Sequence, residues 1–379
     1  MNNIWQELEK PILCLAPMEG VTDIAFRQII AQAGRPDLFF TEFTNVSSYA
    51  SEKGRANALE RLAIAPTDAP IIAQIWGKNP EHFGATCAAL KDLGFAGIDL
   101  NFGCPDKHVN KAGGGAQMIR TPDLAVECFR NAVANSNGLP VSIKTRLGFS
   151  FVNEYQTWLP TLLKEHPAAL TVHLRTRKEM SKVPAHFELI PDIIELRNQY
   201  SPETKLLING DIKDRKQALA LFERFPNLDG FMIGRGVFEN PYCFTDYKPS
   251  KEDLLGLLRL HLGLWAASCS GISPIPQTPA VQTTTFTKRV RGDVVDERRT
   301  ECCSLDDCGA RTRTNPEREV AKRRSFEPLK HYFKIYIRDF PGASDLRAQL
   351  MTCHSTDEAL SFLQHFEQHP ENFGGKLEP

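Results

Sequence analysis

The sequence predicts a (β/α)8 barrel of the TIM type followed by an all-α carboxyl-terminal part. Three observations carry this prediction. Short apolar runs alternate with longer stretches of helical spacing from residue 11 onward, the pattern of parallel strands joined by crossover helices. Eight such runs lie between Ile12 and Ile233, which suits a closed barrel better than an open sheet. The first run leads into A-P-M-E-G-V-T-D, where an open dinucleotide-binding sheet would carry an early G-x-G-x-x-G.

In order, the expected strands are 12–16, 38–41, 71–75, 97–101, 141–145, 170–173, 206–209 and 230–233. The intervening segments place apolar residues at helical spacing, for example Ile24, Phe26, Ile29 and Ile30, or Phe83, Cys87, Leu90 and Leu93. The barrel is thereby assigned to residues 1–245. Helical character continues over 251–265, where Leu254, Leu255, Leu258 and Leu262 form one stripe, and resumes over 325–369. Residues 266–323 carry neither period and mix Ser, Thr, Pro and Gln with clustered charge, so they are read as a disordered or foreign insertion. Cys302, Cys303 and Cys308 lack paired C-x-x-C spacing, and no metal site is expected.

With 379 residues, 42% hydrophobic and 24% charged, the composition is that of an ordinary globular enzyme. No apolar run is long enough to span a bilayer and the amino terminus does not read as a signal peptide, so a cytoplasmic protein with no membrane partner is expected. The ten cysteines form no small-domain framework, and no structural disulfides are expected. A net charge of −1 gives no global attraction to nucleic acid, so any such surface must be a local patch.

Each predicted strand ends in a different functional group. Pro17 and Met18 follow the first, Glu42 the second, Gln74 lies on the third, and Asn101 and Cys104 end the fourth. Lys144 and Arg146 end the fifth, His173 and Arg175 the sixth, Asn209 the seventh, and Gly234 and Arg235 follow the eighth. One such residue is ordinary loop chemistry. All of them converging on the carboxyl-terminal face of a barrel are expected to form a site. A free cysteine is most often a small buried hydrophobe, but Cys104 follows a strand end and sits between Gly103 and Pro105, which serve backbone geometry. The glycines 113–115 beyond it would let backbone approach a ligand closely.

The turns Asn209-Gly210-Asp211 and Gly234-Arg235-Gly236 feed the next helices and imply a bound phosphate. By spacing alone that phosphate fits a sugar phosphate as well as flavin mononucleotide (FMN). Lys144 favours a flavin, because a cation at that place stabilises negative charge on a reduced ring, and Gln74 and Asn101 offer amides to the ring's edge.

The string N-F-G-C-P from Asn101, followed by K-x-V-x-x-x-G-G-G-A from Lys107, resembles the active-site signature of the tRNA-dihydrouridine synthases, flavin enzymes that reduce a uridine in transfer RNA. K-T-R, V-H-L-R-T, N-G-D and I-G-R-G match further family motifs. The resemblance implies that Gln74, Lys144, His173, Asn209, Gly234 and Arg235 hold FMN; Pro17, Met18, Asn101, Gly210 and Asp211 complete the expected cofactor set. Many members carry His-Gly-Arg-Thr where this chain has His173-Leu174-Arg175-Thr176; a leucine there can point outward on a loop, and flavin binding is expected to survive. The A-P-M-E-G and T-E-F strings resemble the C-type bacterial subgroup and imply a uridine of the D-loop. Family members bind tRNA with a carboxyl-terminal helical bundle, which 325–369 resembles; Lys330, His331, Lys334 and Arg338 are the expected phosphate contacts, with Glu42, Arg146 and Arg175 expected to face the substrate.

The chemistry is consistent with the residues. Uracil C6 is electrophilic and C5 must be protonated, so the expected reaction takes hydride from flavin N5 to C6 and a proton from Cys104 to C5, with NADPH or NADH as reductant. The target base must be turned out of its stack to reach a recessed pocket. A monomer is expected. Two alternatives stand beside this reading: an FMN oxidoreductase of free pyrimidines, and a tRNA-binding homologue inactivated by the insertion.

Overall fold

Residues 3–269 and 325–369 are described in a computed structural model of the chain. Residues 270–324, with Cys302, Cys303 and Cys308, lie outside the described residues. The strands are β1 Ile12–Leu15, β2 Phe39–Phe40, β3 Thr44–Asn45, β4 Ile71–Trp76, β5 Gly97–Phe102, β6 Val141–Arg146, β7 Ala169–His173, β8 Lys205–Asn209 and β9 Gly230–Ile233. All ladders are parallel, in the order β1-β9-β8-β7-β6-β5-β4-β2. A bridge between Cys14 and Leu38, with Leu15 N–H donating to Leu38 O at 3.2 Å, joins β1 to the start of β2 and closes the ring. This is the expected barrel.

One strand was not expected. β3 continues β2 along the same partner, but Phe40 pairs with Ile72 whereas Thr44 pairs with Ile75. Four steps on one side therefore match three on the other, so one extra residue sits in the strand, as in a β-bulge. The bulged stretch carries Phe43, which lines the cavity at the barrel mouth, and Glu42, which is buried beside it. Sequence patterning does not register a single added residue between two buried pairs.

Strand alternation separates two cores. Side chains facing out pack under the helices, for example Ile98, Leu100 and Phe102 of β5. A second cluster fills the barrel interior with Ile12, Cys14, Phe40, Ile72, Leu207 and Met232, and Trp5 from the short helix Ile4–Glu7 plugs its amino-terminal end. Above that apolar layer the same inward positions turn polar: Gln74, Asp99, Asn101, Lys144 and His173. The barrel is thus solid below and reactive above.

The helix Lys251–Cys269 runs past the expected end at Trp265 and packs against Ile24–Gly34 of the barrel and against Thr356–Gln368. Tyr332 anchors the later segment to the barrel, its hydroxyl donating to Val21 O at 2.7 Å, and His261 Nδ1 lies 2.9 Å from the Tyr336 hydroxyl. Among the described residues no helix is long and apolar enough to cross a membrane. The segment 327–336 is not one α-helix but a 3-10 helix, Glu327–Tyr332, followed by the short α-helix Phe333–Tyr336. A residue turns further round a 3-10 helix than round an α-helix, so the expected basic stripe is broken. Lys330 is buried, paired with Glu327 at 2.7 Å and lying over the Phe326 ring, whereas His331 and Lys334 remain exposed. Arg338 is half-buried, 3.6 Å from Asp339. Lys330 is therefore not an outward phosphate contact in this arrangement.

Candidate active site

A cavity of about 410 Å3 opens at the carboxyl-terminal mouth of the barrel, within the range of small-molecule sites. Pro17, Met18, Gln74, Asn101, Cys104, Lys144, Arg146, His173, Arg175, Asn209, Gly210, Asp211, Gly234 and Arg235 all line it. Glu42 does not. It is buried beside the cavity and accepts the Gly20 N–H at 2.6 Å, so it holds the loop after β1. Burial pushes its carboxyl upward despite that bond.

Cys104 is presented by a turn with little freedom. Asn101 Oδ1 accepts the N–H groups of Gly103 at 3.1 Å and Cys104 at 2.8 Å, while Cys104 O accepts from Asn110 Nδ2 at 2.8 Å and Ala116 N–H at 3.0 Å. Gly115 of the triple glycine serves this turn, and none of the three glycines lines the cavity. Gly115 has φ +59°, and a Cβ there would lie 2.8 Å from Cys104 O; Gly114 lies against the Trp76 ring. Burial pushes the Cys104 thiol up, with the Asp106 N–H, Arg146 and Lys144 pulling the other way. The thiol stays protonated at neutral pH.

The wall formed by β4 and β5 is internally bonded, two amides over one buried carboxylate. Gln74 Nε2 donates to Asp99 Oδ2 at 2.6 Å, Asn101 Nδ2 donates to Gln74 Oε1 at 3.0 Å, and Ser142 Oγ lies 2.7 Å from Asp99 Oδ1. Asp99 was not singled out from the sequence, although it shares the inward face of β5 with Asn101. Burial pushes its carboxyl up to about 6, opposed by Ser142, Gln74 and Lys144.

The opposite wall is cationic. Lys144 projects from β6 without a hydrogen-bond or ion-pair partner among the described residues, and burial, helped by Arg146, pushes its ammonium down to about 8. Arg146 is spent on carbonyls, donating to Gly103 O at 2.8 Å, Met180 O at 3.0 Å and Thr176 O at 3.1 Å. It clamps the Cys104 turn to the loop after β7. Arg175 donates to Val183 O at 2.6 Å and pairs with Asp211, so these two expected substrate contacts act through backbone and carboxylate. Burial, then the charges of Arg146, Lys144, Arg175 and Arg235, hold His173 well below its ordinary range and neutral.

The turns after β8 and β9 meet across the cavity. Asp211 accepts from Arg235 at 2.7 Å and from Ala185 N–H at 3.0 Å as well as from Arg175. Burial would raise its carboxyl, but the Arg175 bond and the neighbouring charges outweigh that and hold it low. Gly210 has φ +112° and a Cβ there would press on the His173 ring at 2.9 Å; a Cβ on Gly236 would meet Lys213 O at 2.0 Å. The helix after β8 starts only at Arg215, capped by Asp214, so Asn209-Gly210-Asp211 does not itself feed a helix. Leu174 does not point outward. It is fully buried in the core outside the sheet, because its backbone is drawn in by Asn209 O at 3.0 Å and His186 N–H at 2.9 Å. Phe43, the last residue of the T-E-F string, also lines the cavity, as do Lys213 and Glu239, which carried no sequence signal.

The family model "Dihydrouridine synthase (Dus)" matches residues 14–256. A "Probable tRNA-dihydrouridine synthase 2" of Bacillus subtilis (strain 168) is 42% identical over 368 residues, covering 97% of this chain and 97% of that protein. A "Probable tRNA-dihydrouridine synthase" of Staphylococcus aureus (strain COL) is 42% identical over 367 residues, covering 96% of each. The motifs that line the cavity, from the loop after β1 to the turn after β9, fall inside the matched span, and the chain belongs to the dihydrouridine synthase family.

Proposed function

We propose that this chain reduces a uridine of the tRNA D-loop to 5,6-dihydrouridine, with FMN at the barrel mouth and NADPH or NADH as reductant. The observation that carries the reading is the Cys104 thiol, its proton affinity pushed up by burial, on a fixed turn at the edge of a cavity with one amide-lined wall and one cationic wall. The donor set fits a flavin nucleotide. Gln74, Asn101 and Lys144 suit the polar edge of the ring, and Gly210, Gly234 and Arg235, with Asp211 neutralised between two arginines, suit its phosphate. When bound, the flavin supplies the hydride.

The chain's own residues do the rest. Cys104 holds the proton destined for uracil C5; a thiol whose affinity for the proton is raised by burial keeps it until carbanion character develops there. Asn101 and Arg146 keep the turn in place from opposite sides. Neutral His173 offers a ring nitrogen without adding charge to a wall already carrying Lys144 and Arg235. Exposed His331 and Lys334 on the helical segment suit phosphate contacts of the RNA, with Arg338 beside them. Incubating purified protein with unmodified tRNA, FMN and NADPH, then measuring nucleosides by mass spectrometry, tests the reading. Dihydrouridine in tRNA with none formed from free uridine is expected. Product from free uridine alone would replace it by a free-pyrimidine oxidoreductase.

A further inference from the structure

The registers of three strands put Ser142, Asp99 and Gln74 in one row across the barrel: Gln74 pairs with Asp99, and Asp99 with Ser142. Asn101 stands one inward position above Asp99 on β5, next to the Cys104 turn. Gln74 is 0% exposed, Asp99 1% and Asn101 6%, so solvent offers these groups few competing partners. A primary amide can sit either way round in such a row, because its oxygen and nitrogen are nearly the same size. Something must choose.

We infer that Asp99 is a positioning residue: as a group that only accepts, it sets the direction of every hydrogen bond from Gln74 through Asn101 to the turn that carries Cys104. This role rests on Cys104 being the proton donor of the proposed reaction. A carboxylate oxygen 2.6 Å from the Gln74 amide demands its nitrogen, since the reversed amide would set oxygen against oxygen. The Gln74 oxygen then faces Asn101 at 3.0 Å and demands the Asn101 nitrogen. That leaves the Asn101 oxygen for the backbone N–H groups of Gly103 and Cys104, at 3.1 and 2.8 Å. Reversal anywhere would put a donor against a donor or an acceptor against an acceptor in a buried site. One carboxylate, two amides removed from the thiol, therefore decides whether the thiol's turn is bonded.

Asp99→Asn is nearly isosteric but can donate as well as accept, so both amides can reverse and the Cys104 turn loses its acceptor. Asp99→Asn with Gln74→Glu restores the direction: the carboxylate moves one residue along the row and again accepts from Asn101. The readout is alkylation of Cys104 by iodoacetamide against pH, followed on its own peptide by mass spectrometry in the purified full-length protein. In Asp99→Asn the thiol becomes more accessible and loses a nearby negative charge, and its alkylation at pH 7.5 is expected to rise by about threefold or more. The double variant should return to within about twofold of the parent. An Asp99→Asn profile that overlays the parent, or a double variant no closer to the parent than the single one, would overturn the inference. If Asp99→Asn does not fold, recovery of folded protein in the double variant supports the inference and its failure overturns it. Alkylation needs neither tRNA nor turnover, so an inactive parent with a normal alkylation series would count against the activity alone.

Discussion

The two walls of the cavity solve opposite problems. On β4 and β5, Asp99, Gln74 and Asn101 satisfy one another and the Cys104 turn, so the wall is rigid and carries its single charge well below the opening. On β6 to β9, Lys144, Arg146, Arg175 and Arg235 crowd round a neutral His173, and among the described residues Asp211 pairs directly with Arg175 and Arg235. One wall is finished without a ligand, whereas the other concentrates positive charge that an anionic ligand would relieve. The difference teaches that the Cys104 turn is preorganised by the protein, while the cationic wall leaves charge that an anionic ligand would balance.

Breaking the finished wall should have the largest effect. Cys104→Ala removes the one thiol that lines the cavity among the described residues and leaves the bonded turn intact. Dihydrouridine formation should fall by about 10²–10⁴-fold, the range for losing a general acid, while bound flavin absorbance is retained. Loss of flavin together with activity would mean that Cys104 holds the cofactor and not the proton.

Leu174 lies behind the cationic wall and tests whether that wall rests on packing. Leu174→Ala deletes a side chain that is 0% exposed in the outer core. Thermal unfolding should show a loss of about 2 to 4 kcal/mol. Because Leu174 does not line the cavity, flavin affinity at low temperature should be nearly unchanged. A fall in affinity without a fall in stability would place the leucine against the ligand after all.

Lys144 sharpens the electrostatic half of the comparison. Its ammonium is pushed down to about 8 from an ordinary value of 10.5, so the folded state resists protonating it. The penalty is fully present below pH 8 and is relieved as pH rises from there toward the ordinary lysine value. Lys144→Met should therefore stabilise the ligand-free protein at pH 7 by about 1 to 3 kcal/mol, a figure reduced for the water that reaches the open cavity. Activity of the parent should fall as pH rises through about 8 and the cation is lost. If the substituted protein keeps that limb, another group is responsible for it.

Much of this was legible in the chain. Alternating runs disclosed the barrel, and strand ends disclosed nearly all of the cavity lining, because in a parallel barrel the strand termini are the mouth. What escaped depended on facts that no local pattern holds. The bulge at Glu42 and Phe43 is visible only in the pairing with β4, and Asp99 read as one polar residue in an apolar strand until register set it beside Gln74 and Ser142. Arg146 and Arg175 advertised charge, but their hydrogen bonds go to carbonyls and to Asp211. Leu174 reads as a loop residue because the bonds that draw its backbone in, to Asn209 and His186, are long-range.

The smallest expected effect separates two lysines that the sequence put on one stripe. Lys330 is turned inward onto Glu327 and the Phe326 ring, whereas Lys334, four residues on, is exposed. If the helical segment meets the RNA backbone, Lys334→Ala should weaken tRNA binding a few-fold and reduce the slope of log affinity against log salt by about one, the signature of one lost phosphate contact. Lys330→Ala should leave that slope unchanged and show itself in thermal stability, since it removes an internal contact and not an exposed charge. Equal slopes for both variants, each reduced, would mean that the 3-10 turn unwinds on the RNA and restores the α-helical stripe. Equal slopes unchanged from the parent would move the RNA surface elsewhere, to the rim of the barrel mouth.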